Sequence, residues 1–249
     1  MKNLKVTIAY NGSAYNGYQS QPCGSTVQDN LQKSMAALLN QRITINGCSR
    51  TDAGVHARQF VFSALYDESL SSITADSFIR AMNGSLPNDI AVLSCEYVPL
   101  DFHARFSAKG KEYLYLVDTS NVRNVFATDL ALHYPYEIDV PKLREAAAAM
   151  VGQHDFAAFC KAEAKEHLKS TVRTVTDISI EKNNGQVEFY VSGDGFLHNM
   201  VRIIVGTLIY VNENKRSIAD IKEALETGNR EKAGKTLPPH GLYLNKVFY

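Results

Sequence analysis

The chain has 249 residues, enough for one large domain or two small ones, each burying its own core. Its apolar fraction of 45% and charged fraction of 21% are those of a soluble globular protein, and no run of 18 or more apolar residues exists to cross a membrane. Lysine plus arginine and aspartate plus glutamate number 26 each, and residues 1–108 and 109–249 are each balanced in sign. Composition therefore announces no nucleic-acid partner, which would need a clustered basic face on a neutral protein.

The first element is a half-buried strand, in which Leu4, Val6, Ile8 and Tyr10 alternate with Lys5, Thr7 and Ala9. Its start, Met1-Lys2-Asn3-Leu4-Lys5, carries no signal-peptide pattern, so a cytoplasmic location is expected. A loop rich in Gly, Ser, Asn and Gln spans Asn11 to Gly24. Ser25-Thr26-Val27-Gln28 then reads as a capping box opening a helix, with Val27, Leu31, Met35, Leu38 and Leu39 on its apolar face. Ile43 and Ile45 suggest a short strand, and Phe60 to Leu65 the next one. Thr74 to Met82 is predicted helical, stopping at Asn83-Gly84, and Ile90 to Val98 is a fourth strand.

The order strand, helix, strand, strand, helix, strand is that of a split βαβ, ferredoxin-like half. The second half repeats it loosely. Tyr113 to Val117 is a strand. Asp139 caps a helix through Met150, with Pro141 in its first turn and Gly152 after its end. Val172 to Ile180 and Val187 to Val191 form a hairpin across Asn183-Asn184-Gly185. Phe196 to Val211 is an apolar helix, Ser217 caps another, and Gly241 to Tyr249 closes with a strand. The expected class is α+β: duplicated ferredoxin-like halves, 1–108 and 109–249, around one mainly antiparallel sheet.

Cys23, Cys48, Cys95 and Cys160 are widely spaced, so reduced thiols are expected. The histidines at 56, 103, 133, 154, 167, 198 and 240 lack metal-ligand spacing, and no metal site is expected. Nucleotide-cofactor glycine loops and serine-hydrolase elbows are absent too.

The segment with chemical promise is Cys48-Ser49-Arg50-Thr51-Asp52-Ala53-Gly54-Val55-His56-Ala57-Arg58, just before the strand at Phe60. Taken alone, a turn aspartate is structural more often than catalytic, here paired with Arg50 or Arg58. Against that, Asp52 is the only acid between Asn30 and Leu65, and a strand end is where a scaffold holds functional groups. Beside cations its carboxylate is kept ionised, as a nucleophile or an electrostatic partner. His56 is a candidate base or a structural histidine. His198 and Arg202 stand four apart on the predicted helix, and His103-Ala104-Arg105-Phe106 forms a further polar and aromatic cluster. Arg202, in an otherwise apolar helix, needs a partner, for which Asp52 is the most attractive candidate. Tyr113 sits in a strand of alternating basic and aromatic residues, which either stacks bases or is an edge strand with wet lysines.

These motifs together resemble the tRNA pseudouridine synthase A family. Ser49 to Ala57, "SRTDAGVHA", is similar to that family's most specific motif. "YNGSAYNGYQSQP" near the start, "LPNDIAV" (Leu86 to Val92), "DFHARFSAKGKEYLY" (Asp101 to Tyr115), "FLHNMVRIIVGTL" (Phe196 to Leu208) and "HGLYL" (His240 to Leu244) follow in order. Ser49 stands where the family has glycine, and Tyr18 where it has tryptophan. The resemblance implies isomerisation of uridine to pseudouridine at positions 38 to 40 of the tRNA anticodon stem-loop, without cofactor or metal, by a homodimer. It implies Asp52 as the catalytic carboxylate and Tyr113 as the residue contacting the base. Arg50 and Arg202 would lie near the aspartate or the RNA backbone. The aspartate would attack C1′ or C6, or stabilise positive charge at the sugar. The rival readings are a non-catalytic RNA-binding ferredoxin-like relative and a metabolic enzyme using Asp52 on a small substrate.

Overall fold

The computed structural model describes residues 1–22, 24–161 and 169–249, so Cys23 and His167 lie outside the described residues. The chain forms two compact units, Met1–Lys109 with Tyr243–Tyr249, and Gly110–Leu242.

The first unit opens with β1 (Lys2–Tyr10), α1 (Val27–Leu39), β2 (Ile45–Gly47), β3 (His56–Tyr66), α2 (Ala75–Ser85) and β4 (Ile90–Val98). β1 lies between β4 and β3, antiparallel to both, and β2 runs antiparallel to β3 through Ile45↔Ala64 and Gly47↔Phe62. That is the split βαβ arrangement expected from the order of elements. The alternating residues Leu4, Val6 and Ile8 of β1 are fully buried, as are Phe60 and Phe62 of β3, Val27, Leu31, Met35 and Leu39 of α1, and Phe78 and Met82 of α2. Two boundaries differ from expectation. The cap of α1 is Thr26, whose hydroxyl accepts from the Asp29 amide at 3.2 Å, because Ser25 has already turned into the left-handed region at φ 57. α2 continues through Asn83 and Gly84 to Ser85, since the Asn83 side chain is bound in both directions to the Val92 backbone.

The second unit contains β5 (Gly110–Asp118), β6 (Leu132–His133), α3 (Val140–Ala148), β7 (Gly152–Asp155), β8 (Val172–Asn183), β9 (Gln186–Gly193), α4 (Met200–Asn212) and α5 (Ile218–Thr227). β5, β9, β8 and β7 follow one another as antiparallel neighbours, with β6 parallel beside β5. The β8–β9 hairpin turns on Asn184 and Gly185, both at positive φ, as a two-residue turn between right-twisted strands requires. Asp139 caps α3 and Ser217 closes a capping box on α5, as expected. The apolar helix α4 begins at Met200 rather than Phe196, because its cap, Asn199, sits at φ 65. His198 therefore precedes the helix and does not share a face with Arg202.

The last strand, β10 (Leu242–Phe248), belongs through Tyr243–Tyr249 to the first unit. It pairs parallel to the start of β3 through Tyr243↔His56 and Leu244↔Ala57, beside the same edge that β2 covers further along. Phe248 accepts from the Lys109 amide, and the Tyr249 hydroxyl donates to the Ala104 carbonyl at 2.7 Å. Both units are thus helices packed with mainly antiparallel strands, the α+β class expected. No helix among the described residues is long and apolar enough to cross a membrane.

Candidate active site

Backbone hydrogen bonds shape the motif between β2 and β3. Residues Asp52 to Val55 make a tight turn, in which the Val55 amide donates to the Asp52 carbonyl at 3.2 Å and Gly54 has φ 77. A turn with positive φ at its third residue favours glycine there, which accounts for the order Asp-Ala-Gly. The preceding residue, Thr51, is buried, and its hydroxyl shares a 2.8 Å hydrogen bond with the Tyr10 hydroxyl at the end of β1.

The loop after β1 lies backbone to backbone on this turn. The Tyr18 amide donates to the Thr51 carbonyl. A side chain at Gly17 would place its Cβ 2.6 Å from that carbonyl oxygen, and one at Gly12 would stand 2.0 Å from the Val55 oxygen. The loop is anchored at its far side by Asp89, at the start of β4. Asp89 accepts from the Asn11 amide through its carbonyl and from the Tyr15 hydroxyl through its carboxylate. Sequence reasoning left these loop residues without a role; the signal available was the density of glycine beside a chemical motif.

Asp52 is half-buried on this turn. Arg50 is exposed, and Arg58 lies over the Tyr243 ring at 5.4 Å. His56 is 1% exposed, its Nδ1 accepts from the Gly12 amide at 3.0 Å, and its ring stacks on Tyr243 at 4.6 Å. With Nδ1 an acceptor, the neutral ring carries its proton on Nε2. The histidine thus pins the loop to the motif, which is its structural alternative. Tyr18 is buried and stacks on Phe60 at 4.1 Å, yet its hydroxyl has no hydrogen-bond partner among the described residues. Burial raises its pKa well above that of a free phenol.

In the second unit, Tyr113 on β5 is buried opposite Val191, with Phe196 edge-on to its ring at 5.2 Å. Arg202, in the first turn of α4, is half-buried. Its Nε donates to the Leu237 carbonyl at 2.6 Å and a terminal nitrogen to the Asn199 side-chain oxygen at 2.7 Å. These two fixed acceptors orient the planar guanidinium. Tyr115, next along the same face of β5, is fully buried and donates to the Pro238 carbonyl at 2.9 Å.

Comparison with known proteins bears on what this arrangement serves. The profile of the family described as tRNA pseudouridine synthase matches residues 6–107 and 146–249. The chain is 41% identical to tRNA pseudouridine synthase A 2 of Clostridium perfringens (strain 13 / Type A), over all 249 residues and the whole of both chains. It is 43% identical over 248 residues to tRNA pseudouridine synthase A of Bacillus pumilus (strain SAFR-032), covering 99% of this chain and 98% of that one. It is 40% identical, again end to end, to the enzyme of the same name from Acetivibrio thermocellus. With matches spanning both units and the motif turn alike, the chain belongs to the tRNA pseudouridine synthase family.

Proposed function

We propose that the protein isomerises uridine to pseudouridine at positions 38, 39 and 40 of the tRNA anticodon stem-loop, with Asp52 as its catalytic carboxylate. In this reaction the N1–C1′ bond breaks, the uracil turns, and C5 bonds to C1′. The C5 proton leaves to solvent and N1 ends protonated. Nothing is oxidised or reduced, so the chemistry needs no electron acceptor. It needs an ionised carboxylate at the sugar or the base, and a surface to hold a base taken out of the stack.

The observation that carries the reading is the placement of Asp52, half-buried on a turn locked by backbone hydrogen bonds at the head of β3. Tyr113 is the proposed platform for the uracil, and Arg50 and Arg202 the proposed substrate-binding cations. The family resemblance also supports a cytoplasmic homodimer, which size-exclusion chromatography with light scattering would test for its dimeric part.

The test is release of tritium from tRNA labelled with [5-³H]uridine. Asp52→Ala should abolish release while leaving the circular dichroism spectrum and tRNA binding intact. Turnover retained in that variant overturns the assignment. A chain without turnover in its unaltered form would instead be the non-catalytic RNA-binding relative.

A further inference from the structure

The cluster His103-Ala104-Arg105-Phe106 has no part in the site described above. In the first unit it faces the opening half of the motif across a recess of 200 Å³. Arg50 and Ser49 line one side, His103, Arg105 and Phe106 another, and the Asn46 amide a third; Asp52 is not among the lining residues. Pockets for drug-sized ligands run to about 300–1,000 Å³, so this one suits a single flat ring or a phosphate rather than a whole cofactor.

The cluster is preorganised. His103 Nδ1 accepts from the amides of Arg105 and Phe106, and the His103 amide donates to the Ser107 hydroxyl. This leaves Nε2 of the neutral ring as a donor. The Ala104 amide, donating to Ser63 Oγ, fixes the cluster to β3. What the locked turn displays is a phenyl ring that is 78% exposed, with the His103 ring at 4.4 Å and the Arg105 guanidinium at 5.8 Å. Neither Arg50 nor Arg105 forms an ion pair among the described residues. Two arginines without ion pairs, on a chain with net charge of zero, concentrate positive potential at one recess. The combination of cations, a bare aromatic face and amide side chains is that of a single-stranded nucleic-acid subsite.

We propose that this recess binds one unpaired nucleotide of the tRNA substrate, separate from the uridine being isomerised. Its phosphate lies between Arg50 and Arg105, and its base stacks on Phe106 and His103. The proposal rests on the reading of the chain as a tRNA-modifying enzyme, and it gives a role to a part of the sequence outside that chemistry. A nucleotide held here anchors the strand while a neighbouring base leaves the stack.

Binding is measured on the full chain carrying Asp52→Ala, so that no turnover intervenes. The probes are an in-vitro transcribed tRNA and its isolated anticodon stem-loop. Adding Phe106→Ala should raise the Kd about 5- to 150-fold, the worth of one lost base stack, whereas Phe106→Trp should hold it near the parent value. Arg105→Gln should reduce the slope of log Kd against log salt by about 0.7 to 0.9, as for one lost phosphate contact. Stem-loop RNA carrying 5-iodouridine in its unpaired positions should photocrosslink to Phe106 or His103. Kd values within twofold of the parent together with a crosslink elsewhere overturn the proposal. So does a Phe106→Ala variant that changes the oligomeric state while leaving Kd intact, since the ring would then belong to a protein interface. Tritium release by the unaltered enzyme separates the two readings. Turnover without the binding losses sinks the recess alone, and a crosslink at Phe106 without any turnover sinks the catalytic reading alone.

Discussion

Replacing Gly17 with alanine probes whether the first loop sets the position of Asp52. Two costs arise at this residue. Its φ of 87 is a conformation that L-residues adopt at a cost of about 1–2 kcal/mol. The added Cβ would also stand 2.6 Å from the Thr51 carbonyl oxygen, an overlap that backbone must relieve by moving, at about 1–3 kcal/mol. The sum, about 2–5 kcal/mol, corresponds to a fall in Tm of roughly 4–20 °C for a chain of this size. Gly24 is the internal control. Its φ is 67, and an added Cβ meets nothing within 4 Å, so Gly24→Ala carries the conformational cost alone. The two variants differ in one further respect: only Gly17→Ala pushes on the residue before Asp52. A displacement of a reacting group by about 1 Å costs on the order of 100-fold in rate. Gly17→Ala should therefore lose about 100-fold in kcat/KM by tritium release at a temperature where it remains folded, and Gly24→Ala less than about threefold. Equal activity in the two variants would refute the idea that this contact positions the motif.

Two other outcomes follow from groups outside the reaction. Tyr18→Phe removes a buried hydroxyl that has no partner among the described residues, so it should stabilise the protein by about 1 kcal/mol, read as a rise in Tm of roughly 2–4 °C. Asp118 is buried, and burial alone would raise its pKa. Hydrogen bonds from the Ser120 amide at 3.0 Å and hydroxyl at 2.6 Å outweigh that and hold it below the usual carboxylate value. A carboxylate depressed in the folded state contributes stability above its unfolded pKa of about 3.9 and loses it as pH falls through the folded value. Asp118→Asn should therefore be less stable than the parent in urea at pH 7, with the gap closing at about pH 2.

The elements were legible where the cause is local. Alternation along β1, the Asp139 and Ser217 caps and the Asn184-Gly185 turn each follow from a few adjacent residues. Errors of one to four residues arose at Ser25 and Asn199, non-glycine residues in the left-handed region, which periodicity does not register. Asp52 could be singled out because it is a lone acid in a polar segment leading into an apolar strand. The loop that holds it could not, since the contacts of Gly12 and Gly17 are between backbones more than thirty residues apart in sequence. The recess is hidden for the same reason: its walls come from the segments around Tyr18, Asn46 and His103.

The pairing of β10 with β3 sets an order of events during synthesis. The first unit is written in two pieces separated by the whole of residues 110–242. At about 5–20 residues per second, the ribosome needs roughly 7–27 s to traverse that interval. Throughout it, the edge of β3 at His56 and Ala57, next to the motif turn, has no strand to pair with. Tyr243, the ring that stacks on His56, is also still unmade. The nascent chain thus carries its chemical motif beside an open strand edge, and that edge closes only with the arrival of the last strand.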